Sequence, residues 1–291
     1  MNLVGTMAAR NEDWIIGLSA RVALTWCDSL VIFNHASTDR TSDICSDLVQ
    51  ENLGRVSVIW EPEDKWDEMN HRQRMLDWAR ANNEHATHIA IIDADEILTA
   101  NLVPSVRDYV KSLSYGQMME LPGYNLRGGL DKYHNNGIWG QRWFSTAFKD
   151  VNTAAWRGDK FHQREPEGLR WLRVKPIRQG QGGTLHLWGA SEERLHQKHR
   201  LYRVMERVRF PQKPIHEIER MYSWAEKGEP TQPAWGTPAT WTFVDVPATW
   251  LAPYVDLIHD HLDLTSVPWQ KAEANRIIEE HGGDFFAGLA V

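Results

Sequence analysis

HIAIIDADEIL, residues 88 to 98, decides how the rest of the chain is read. Four apolar residues, Ile89 to Ile92, run without a break into Asp93, Ala94, Asp95 and Glu96. So short a run, rich in β-branched side chains, fits the central strand of a sheet covered by helices on both faces. The binding crevice of an open α/β sheet lies outside the carboxyl ends of its strands, so a strand ending in acid points to a site. In an extended segment residues two apart share a face, which predicts Asp93 and Asp95 on one side and Ala94 on the other. Two carboxylates placed in this way suit a hard divalent cation, Mg²⁺ or Mn²⁺, whose other positions are filled by phosphate oxygens of a substrate. The plain alternative is a strand that ends in a solvated acidic turn.

Upstream, the same pattern repeats. Leu3 to Met7 predicts a buried strand, followed by the polar turn Ala8, Ala9, Arg10, Asn11, Glu12. Asp13 is a candidate cap for a helix whose apolar face carries Ile15, Leu18, Val22 and Trp26. Leu30 to Phe33 predicts a second strand, ending in Asn34, His35, Ala36, Ser37, Thr38 and Asp39, and the next helix turns Ile44, Cys45 and Leu48 inward. Val56 to Trp60 predicts a third strand, and a helix from about Asp67 to Arg80 leads back to the acidic one. The alternation is that of a parallel sheet with right-handed crossovers. All carboxyl ends of parallel strands lie on one edge, so Asn11 and Glu12, Asn34 to Asp39, and Asp93 to Glu96 are expected to converge on one nucleotide-sized crevice.

Downstream, Leu102, Val106, Tyr109, Val110 and Leu113 make the stripe of a further helix, and a strand is expected around Met118 to Leu121. Residues 122 to 183 are rich in Gly, Trp, Arg and Asn and predict long loops with short strands such as Gln141 to Phe148 and Leu172 to Ile177. TLHLW, Thr184 to Trp188, is another strand candidate. Ser191, followed by Glu192 and Glu193, opens a charged helix that must stop before Pro211. A helix from about Ile215 to Lys227, a Pro-rich linker from Glu229 to Pro238 and two tail helices complete the chain, the first tail helix with Tyr254, Val255, Ile258 and Leu262 on one face.

Composition narrows the class. The formal net charge of -7 over 291 residues argues against a general nucleic-acid or anionic-membrane binder. No segment has the apolar length of a membrane span, and MNLVGTMAARNE lacks the features of a signal peptide, so a cytoplasmic protein is expected. Cys27 and Cys45 are too few for a disulfide framework or a zinc site of their own and are expected to stay reduced. The 15 tryptophans offer stacking surfaces for sugars or bases, and a core of this size accommodates several of them equally well.

Assembled, these strand ends resemble the family 2-type glycosyltransferases of the GT-A fold, in particular a compact bacterial branch with a DADE(F/I)L motif. The opening ARNE (Ala9 to Glu12) stands in place of the more usual PxxNE turn. NHASTDRT (Asn34 to Thr41) resembles the family's DxGSTDGT, and DADEIL (Asp93 to Leu98) its DADEFL. The three stand in family order over roughly the first 110 residues and are far more specific together than singly. His186 in LHLW resembles the histidine that follows the variable region in this branch, with Lys198 and Tyr202 on the helix after it.

The resemblance implies an α/β fold, a GT-A-like (Rossmann-like), mostly parallel sheet flanked by helices, with a helical C-terminal extension. It implies a catalytic domain over 1–210, divided into a nucleotide-binding half (1–115) and an acceptor and metal half (116–210), with the extension over 211–291. The implied donor is a UDP-, GDP- or dTDP-linked sugar. Ala9, Arg10, Asn11 and Glu12 would lie beside the base or ribose together with Asn34 and His35, and Asp39 would contact the nucleotide. Asp93, with Ala94 beside it, would face the ribose or a metal-bound water. Asp95 would bind Mn²⁺ or Mg²⁺ directly, with His186 as a further ligand and Asp93 near the metal. Arg74 and Lys160 would add positive charge at the diphosphate. Asn34 replaces the family's first Asp and His35 follows it, which bears on base recognition.

Each residue also has an ordinary account. His186 is equally a satisfied core histidine, Asp39 a helix-start turn residue, Glu12 a partner of the first helix dipole, and Arg74 and Lys160 solvated charges. An inverting transfer needs a carboxylate base; Asp159 in WRGDKFH is the first candidate, followed by Glu165, Glu167 and Asp131, whereas a retaining transfer would not need it. The acceptor is a glycan, a lipid-linked sugar or a small molecule, and the tail helices are a candidate homodimer surface. Two other classes compete: a haloacid dehalogenase-type phosphatase using Asp93 and Asp95, and a non-catalytic carbohydrate-binding protein using its tryptophans.

Overall fold

The computed structural model describes residues 1–82, 86–140, 142–158, 163–227 and 241–291. Its strands and helices are, in chain order, β1 (Asn2–Ala9), α1 (Ile16–Ala23), β2 (Ser29–His35), α2 (Thr41–Glu51), β3 (Val56–Glu61), α3 (Glu68–Asn82), β4 (Ala86–Asp93), β5 (Glu96–Leu98), α4 (Val103–Lys111), β6 (Met118–Asn125), β7 (Lys132–His134), β8 (Arg142–Lys149), β9 (Arg173–Val174), β10 (Thr184–His186), α5 (Glu192–Arg209), α6 (Ile215–Lys227), β11 (Phe243–Asp245), α7 (Val255–His261) and α8 (Trp269–His281). The chain forms two compact units. The first comprises Met1–Gly123, Trp143–Leu185 and Pro247–Asp263, and the second Tyr124–Arg142, His186–Val246 and Leu264–Val291.

The first unit is built on an α/β sheet in the order β3-β2-β1-β4-β8-β6-β10-β5, with β9 beside β6. The last residues of β6 and β10 and the first of β8 belong to the second unit. β1, β2, β3 and β4 pair in parallel as the alternating pattern predicts, and β8 then runs antiparallel to β4, so the sheet is mixed. β4 lies inside it, between β1 and β8. Ile89, Ala90, Ile91 and Ile92 are accordingly all buried. Each fully buried isoleucine contributes roughly 1.5–3 kcal/mol of transfer free energy, so the apolar run anchors the strand whose end carries the acids. Val4, Val31, Phe33, Met75, Leu76, Ile89, Ile91 and Phe148 share one core cluster.

Leu18 and Val22 of α1 are buried at the predicted spacing, and so are Ile15 just before the helix and Trp26 just after it, which the shorter helix leaves outside its ends. Asp13 is not its cap: no side chain caps α1, the Glu12 carbonyl accepts from the amides of Ile15 and Ile16, and the Asp13 amide donates to Asp39 instead. The predicted extended run through Asp95 also stops short. β4 ends at Asp93 and the chain turns at Ala94 and Asp95, so side-chain alternation does not carry past Asp93. The strand expected over Leu172 to Ile177 shrinks to β9, with Trp171 and Leu172 exposed, and TLHLW is extended only to His186. In the tail, Tyr254 is buried but Val255 is exposed, so the predicted apolar face of α7 is incomplete.

In the second unit, Ser191 caps α5 by accepting from the Arg194 amide, and α5 ends at Arg209, before Pro211. Leu201 and Val204 of α5 pack with Ala274 of α8 and with Phe286. Arg203, fully buried, is held by two bonds to Glu226 of α6 and by Glu219. β7 and β11 form an antiparallel pair through Tyr133 and Val244. The expected linker from Glu229 to Pro238 lies outside the described residues. No helix among the described residues is long and apolar enough to cross a membrane.

Candidate active site

Strand register assembles the site. Ala8 pairs with Asp93 across β1 and β4, Ala9 with Asn34 across β1 and β2, and His35 with Glu61 across β2 and β3. The three polar ends read from sequence therefore sit side by side at one edge of the first unit. Asn11 ties two of them together. Its backbone is in the left-handed region (φ 55°), where Asn is among the few residues tolerated. That turn aims its buried amide oxygen at the Thr38 amide (2.6 Å) and the Asp39 amide (3.3 Å), while its own N–H donates to Ser37 Oγ. Glu12 adds a bond from its amide to Thr41 Oγ1 and accepts from Trp14 Nε1 on its carboxylate. Asp39 accepts from the Thr41 and Asp13 amides, which is the turn-forming role in its ordinary account.

The acids are embedded in a guanidinium network. Arg164 donates to Asp93 Oδ2 (2.7 Å), to both oxygens of Glu96 (2.8 and 2.6 Å) and to the carbonyls of Ile91 and Ser145. Arg72, one turn along α3 from its second partner Glu68, donates to Asp93 Oδ1 at 3.1 Å. Both oxygens of Asp93 thus face arginine, and Glu96 is 3% exposed with its charge matched by Arg164. Although burial alone disfavours the charged guanidinium, Glu96 and then Asp93 hold Arg164 above its ordinary range. Asp95 is 7% exposed at the turn that follows β4.

Beside this edge lies an aromatic and imidazole cluster. His71 of α3 stacks on Phe33 (centroids 4.5 Å apart) and meets His35 at 4.4 Å, and Trp66 stands edge-on to His35 at 5.7 Å. Burial, and next the Arg10 charge, lower the His35 pKa; burial and then His35 lower His71 to about 4. Both rings are therefore neutral near pH 7. Neither ring nitrogen of His35 nor the amide oxygen of Asn34 has a partner of ordinary hydrogen-bond geometry. The Asn34 amide nitrogen donates to Ser42 Oγ. Arg74 pairs with Glu61 and lies over the Phe33 ring, and Arg10 donates to the Asp64 carbonyl.

Among the base candidates, Glu165 accepts from Ser145 Oγ and pairs with Arg173, and Glu167 is exposed with its backbone bridged to Ala155. Asp131, in the second unit, is exposed, its carbonyl accepting from Val246. Asp159 and Lys160 lie outside the described residues. In the second unit, His186 Nδ1 lies 3.1 Å from Asn125 Oδ1, which also accepts from Trp188 Nε1.

Arg72, Arg164 and Asn125 were not among the sequence candidates. Arg72 had a detectable signal, since it falls on the face of the predicted helix next to the acidic strand. Arg164 and Asn125 had none, because each lies in or beside the loop-rich stretch and meets its partner only through tertiary structure.

Among the described residues no group of three or more His, Cys, Asp or Glu side chains is placed to hold a metal ion. Mg²⁺ and Mn²⁺ sites that bind through one or two carboxylates and complete their shell with substrate phosphates do not require such a cage. Asp95 offers a carboxylate at the turn after β4, a donor type that fits such a cation.

No protein-family model matches the chain, and no curated protein matches it. Among solved structures it is similar to S. aureus TarS 1-349, at 12% identity and TM-score 0.38 over 51% of this chain and 47% of that one. The same protein in complex with UDP-GlcNAc aligns over 99% of this chain and 84% of that one, at 9% identity and TM-score 0.37. Glucosyl-3-phosphoglycerate synthase from Mycobacterium tuberculosis, in complex with Mn²⁺, UDP-glucose and phosphoglyceric acid, aligns over 43% of this chain and 44% of that one, at 16% identity and TM-score 0.30. In the first three such matches, all TarS structures, this chain spans between 37% and 47% of the other chain's length. These are distant structural likenesses.

Proposed function

We propose that the chain is a metal-dependent glycosyltransferase that moves a sugar from a nucleoside-diphosphate donor to an acceptor hydroxyl, within a GT-A-like catalytic domain over 1–210 extended by 211–291. The observation that carries this reading is the register: Asn34 beside Ala9 and Asp93 beside Ala8 bring ARNE, NHASTDRT and DADEIL to one sheet edge. At that edge Asn34 keeps a buried amide oxygen without a protein partner, and buried polar groups are ordinarily satisfied, so a polar ligand completes it. The base stacks or bonds there, with Ala9, Arg10, Asn11 and Glu12 on one flank and Asp39 on the other. Asp93, held by Arg72 and Arg164, faces the ribose.

Asp95 would hold the Mn²⁺ or Mg²⁺. A cation there supplies charge neutralisation to the departing diphosphate. Arg74 and Lys160 add positive charge beside it. In the reaction the bond from the anomeric carbon to the diphosphate oxygen breaks and one to the acceptor oxygen forms. The acceptor proton passes to a carboxylate, Asp159 first among the candidates. The phosphatase alternative expects the DxD strand to open its fold, whereas here it is the fourth strand and its would-be nucleophile Asp93 has an arginine on each oxygen.

The test is calorimetric titration of UDP, GDP, dTDP and CDP, with and without Mn²⁺, into the wild-type protein and Asp95→Ala. Metal-dependent binding of one nucleotide, lost in a folded Asp95→Ala variant, is the expected result. Absence of nucleotide binding under every condition, or an Asp95→Ala variant that binds and transfers normally, refutes it.

A further inference from the structure

The run Gly168 to Arg178, GLRWLRVKPIR, carries Arg170, Arg173, Lys175 and Arg178 and no acidic residue, in a chain whose formal net charge is -7. Within it Trp171 is 88% exposed and Leu172 50%. The Arg170 amide donates to the Gly116 carbonyl at 2.8 Å, which brings this segment against Tyr115, itself 63% exposed. The Gly116 amide donates in turn to the Lys149 carbonyl at 3.0 Å, and Lys149 Nζ stands 4.2 Å from the centre of the Tyr115 ring. Three exposed apolar side chains and two cations are thus gathered at one place on the first unit, and such a cluster marks an interaction surface. Arg173 and Lys175 pair with Glu120, and Arg173 also with Glu165, whereas no carboxylate among the described residues pairs with Lys149 or Arg170. Lys149 lies opposite His88 near the start of β4, the strand that Asp93 ends. At the rise of an extended strand the patch is about 16 Å from the acids, toward the other edge of the sheet.

We propose that this patch docks the protein on an anionic lipid surface, with Trp171, Leu172 and Tyr115 entering the headgroup layer and Lys149 and Arg170 lying against its phosphates. Trp and Tyr favour the membrane interface because each joins an apolar ring to one polar group, and basic side chains are drawn by the negative potential of acidic lipids. The net charge of the whole chain does not oppose this at contact, since at physiological salt a charge is felt over only about 8 Å. It orients the molecule with the basic patch inward. A fluid bilayer accepts projecting apolar side chains without a matching pocket. An acidic protein would answer the cations but need a shaped recess for Trp171 and Leu172, and a nucleic acid could stack on the two rings but gains nothing from Leu172. Docking in this way leaves the edge that carries the acids clear of the lipid, and the inference does not rest on the transferase reading.

Co-sedimentation of the full chain with vesicles tests this, using phosphatidylcholine alone and phosphatidylcholine mixed equally with phosphatidylglycerol, at low and at physiological salt. The wild type is expected to bind the mixed vesicles, less tightly as salt rises, and to bind the neutral ones about 10-fold more weakly. Trp171→Ala is expected to weaken binding to the mixed vesicles about 10-fold, by loss of the apolar ring. Arg170→Glu is expected to weaken it at least ~5-fold and to leave binding to the neutral vesicles unchanged. Both side chains are exposed, so both variants are expected to keep the fold, which circular dichroism checks. No binding of the wild type to the mixed vesicles, or binding unchanged in either variant, overturns the proposal. Trp171-dependent binding of single-stranded RNA or of polyglutamate without binding of vesicles also overturns it, and assigns the patch to a nucleic acid or to an acidic protein.

Discussion

Arg164 donates to Asp93 across 71 residues of sequence, at 2.7 Å, and the same guanidinium grips Glu96 on both oxygens. The loop-rich stretch thus reaches back and neutralises the acids at the end of β4. Removing the cation takes from buried Glu96 the guanidinium that bonds both of its oxygens. Arg164→Gln is expected to destabilise the fold by about 3–5 kcal/mol, the cost of breaking a buried pair from one side. Arg164→Lys restores little of it, since a single ammonium cannot reproduce the forked contacts. Urea unfolding at pH 7 measures both, and wild-type stability in Arg164→Gln would show the network to be energetically idle.

Asn11 combines a left-handed backbone with an amide that bonds the next strand-end loop. Asn11→Gly keeps the backbone and loses the bonds, whereas Asn11→Ala loses both. Alanine is therefore expected to be the worse of the two, by about 1 kcal/mol, in thermal or urea unfolding. Equal stabilities would mean that the turn is not under conformational constraint.

Acid should loosen the protein well before its carboxylates titrate. Burial is the leading cause that lowers His71, His88 and His134 to about 4 from 6.5. Between about pH 6.5 and 4 the unfolded chain binds protons that the folded chain refuses. The histidines' contribution is therefore complete above about 6.5 and lost as pH falls toward 4. Urea midpoints between pH 7.5 and 4.5 should fall steadily, and a flat profile down to pH 5 would contradict these shifts.

Both thiols should be silent in the native state. Cys27 and Cys45 are buried, and burial pushes Cys27 far up and Cys45 up to about 12, so neither presents thiolate near neutral pH. A chromogenic disulfide reagent at pH 8 is expected to titrate no thiol in the folded protein and two in denaturant. Fast native labelling of either one would place it in an opening segment.

The parallel half of the fold and the edge that carries the acids were legible because both rest on local pattern. Ile89 to Ile92 could only be buried, and strands alternating with amphipathic helices put their carboxyl ends on one edge whatever the side chains beyond them do. ARNE, NHASTDRT and DADEIL therefore landed together. The Ser191 cap and the start of α6 were readable for the same reason, being signals confined to a few neighbouring residues.

What surrounds those ends was decided elsewhere. Arg164 meeting Asp93, Arg72 meeting the other oxygen, and the stack of His71 on Phe33 join residues whose separation leaves no periodic trace. Asp13 lost its expected cap role because α1 starts only at Ile16, which puts Ile15 at the cap position. The antiparallel β8 likewise came from a stretch without regular alternation. Sequence alone determined which residues form the sheet edge, since backbone periodicity and burial act over a few residues. Only tertiary structure decided which charges and rings face one another there, because electrostatic and hydrogen-bond partners are chosen by distance in space rather than along the chain.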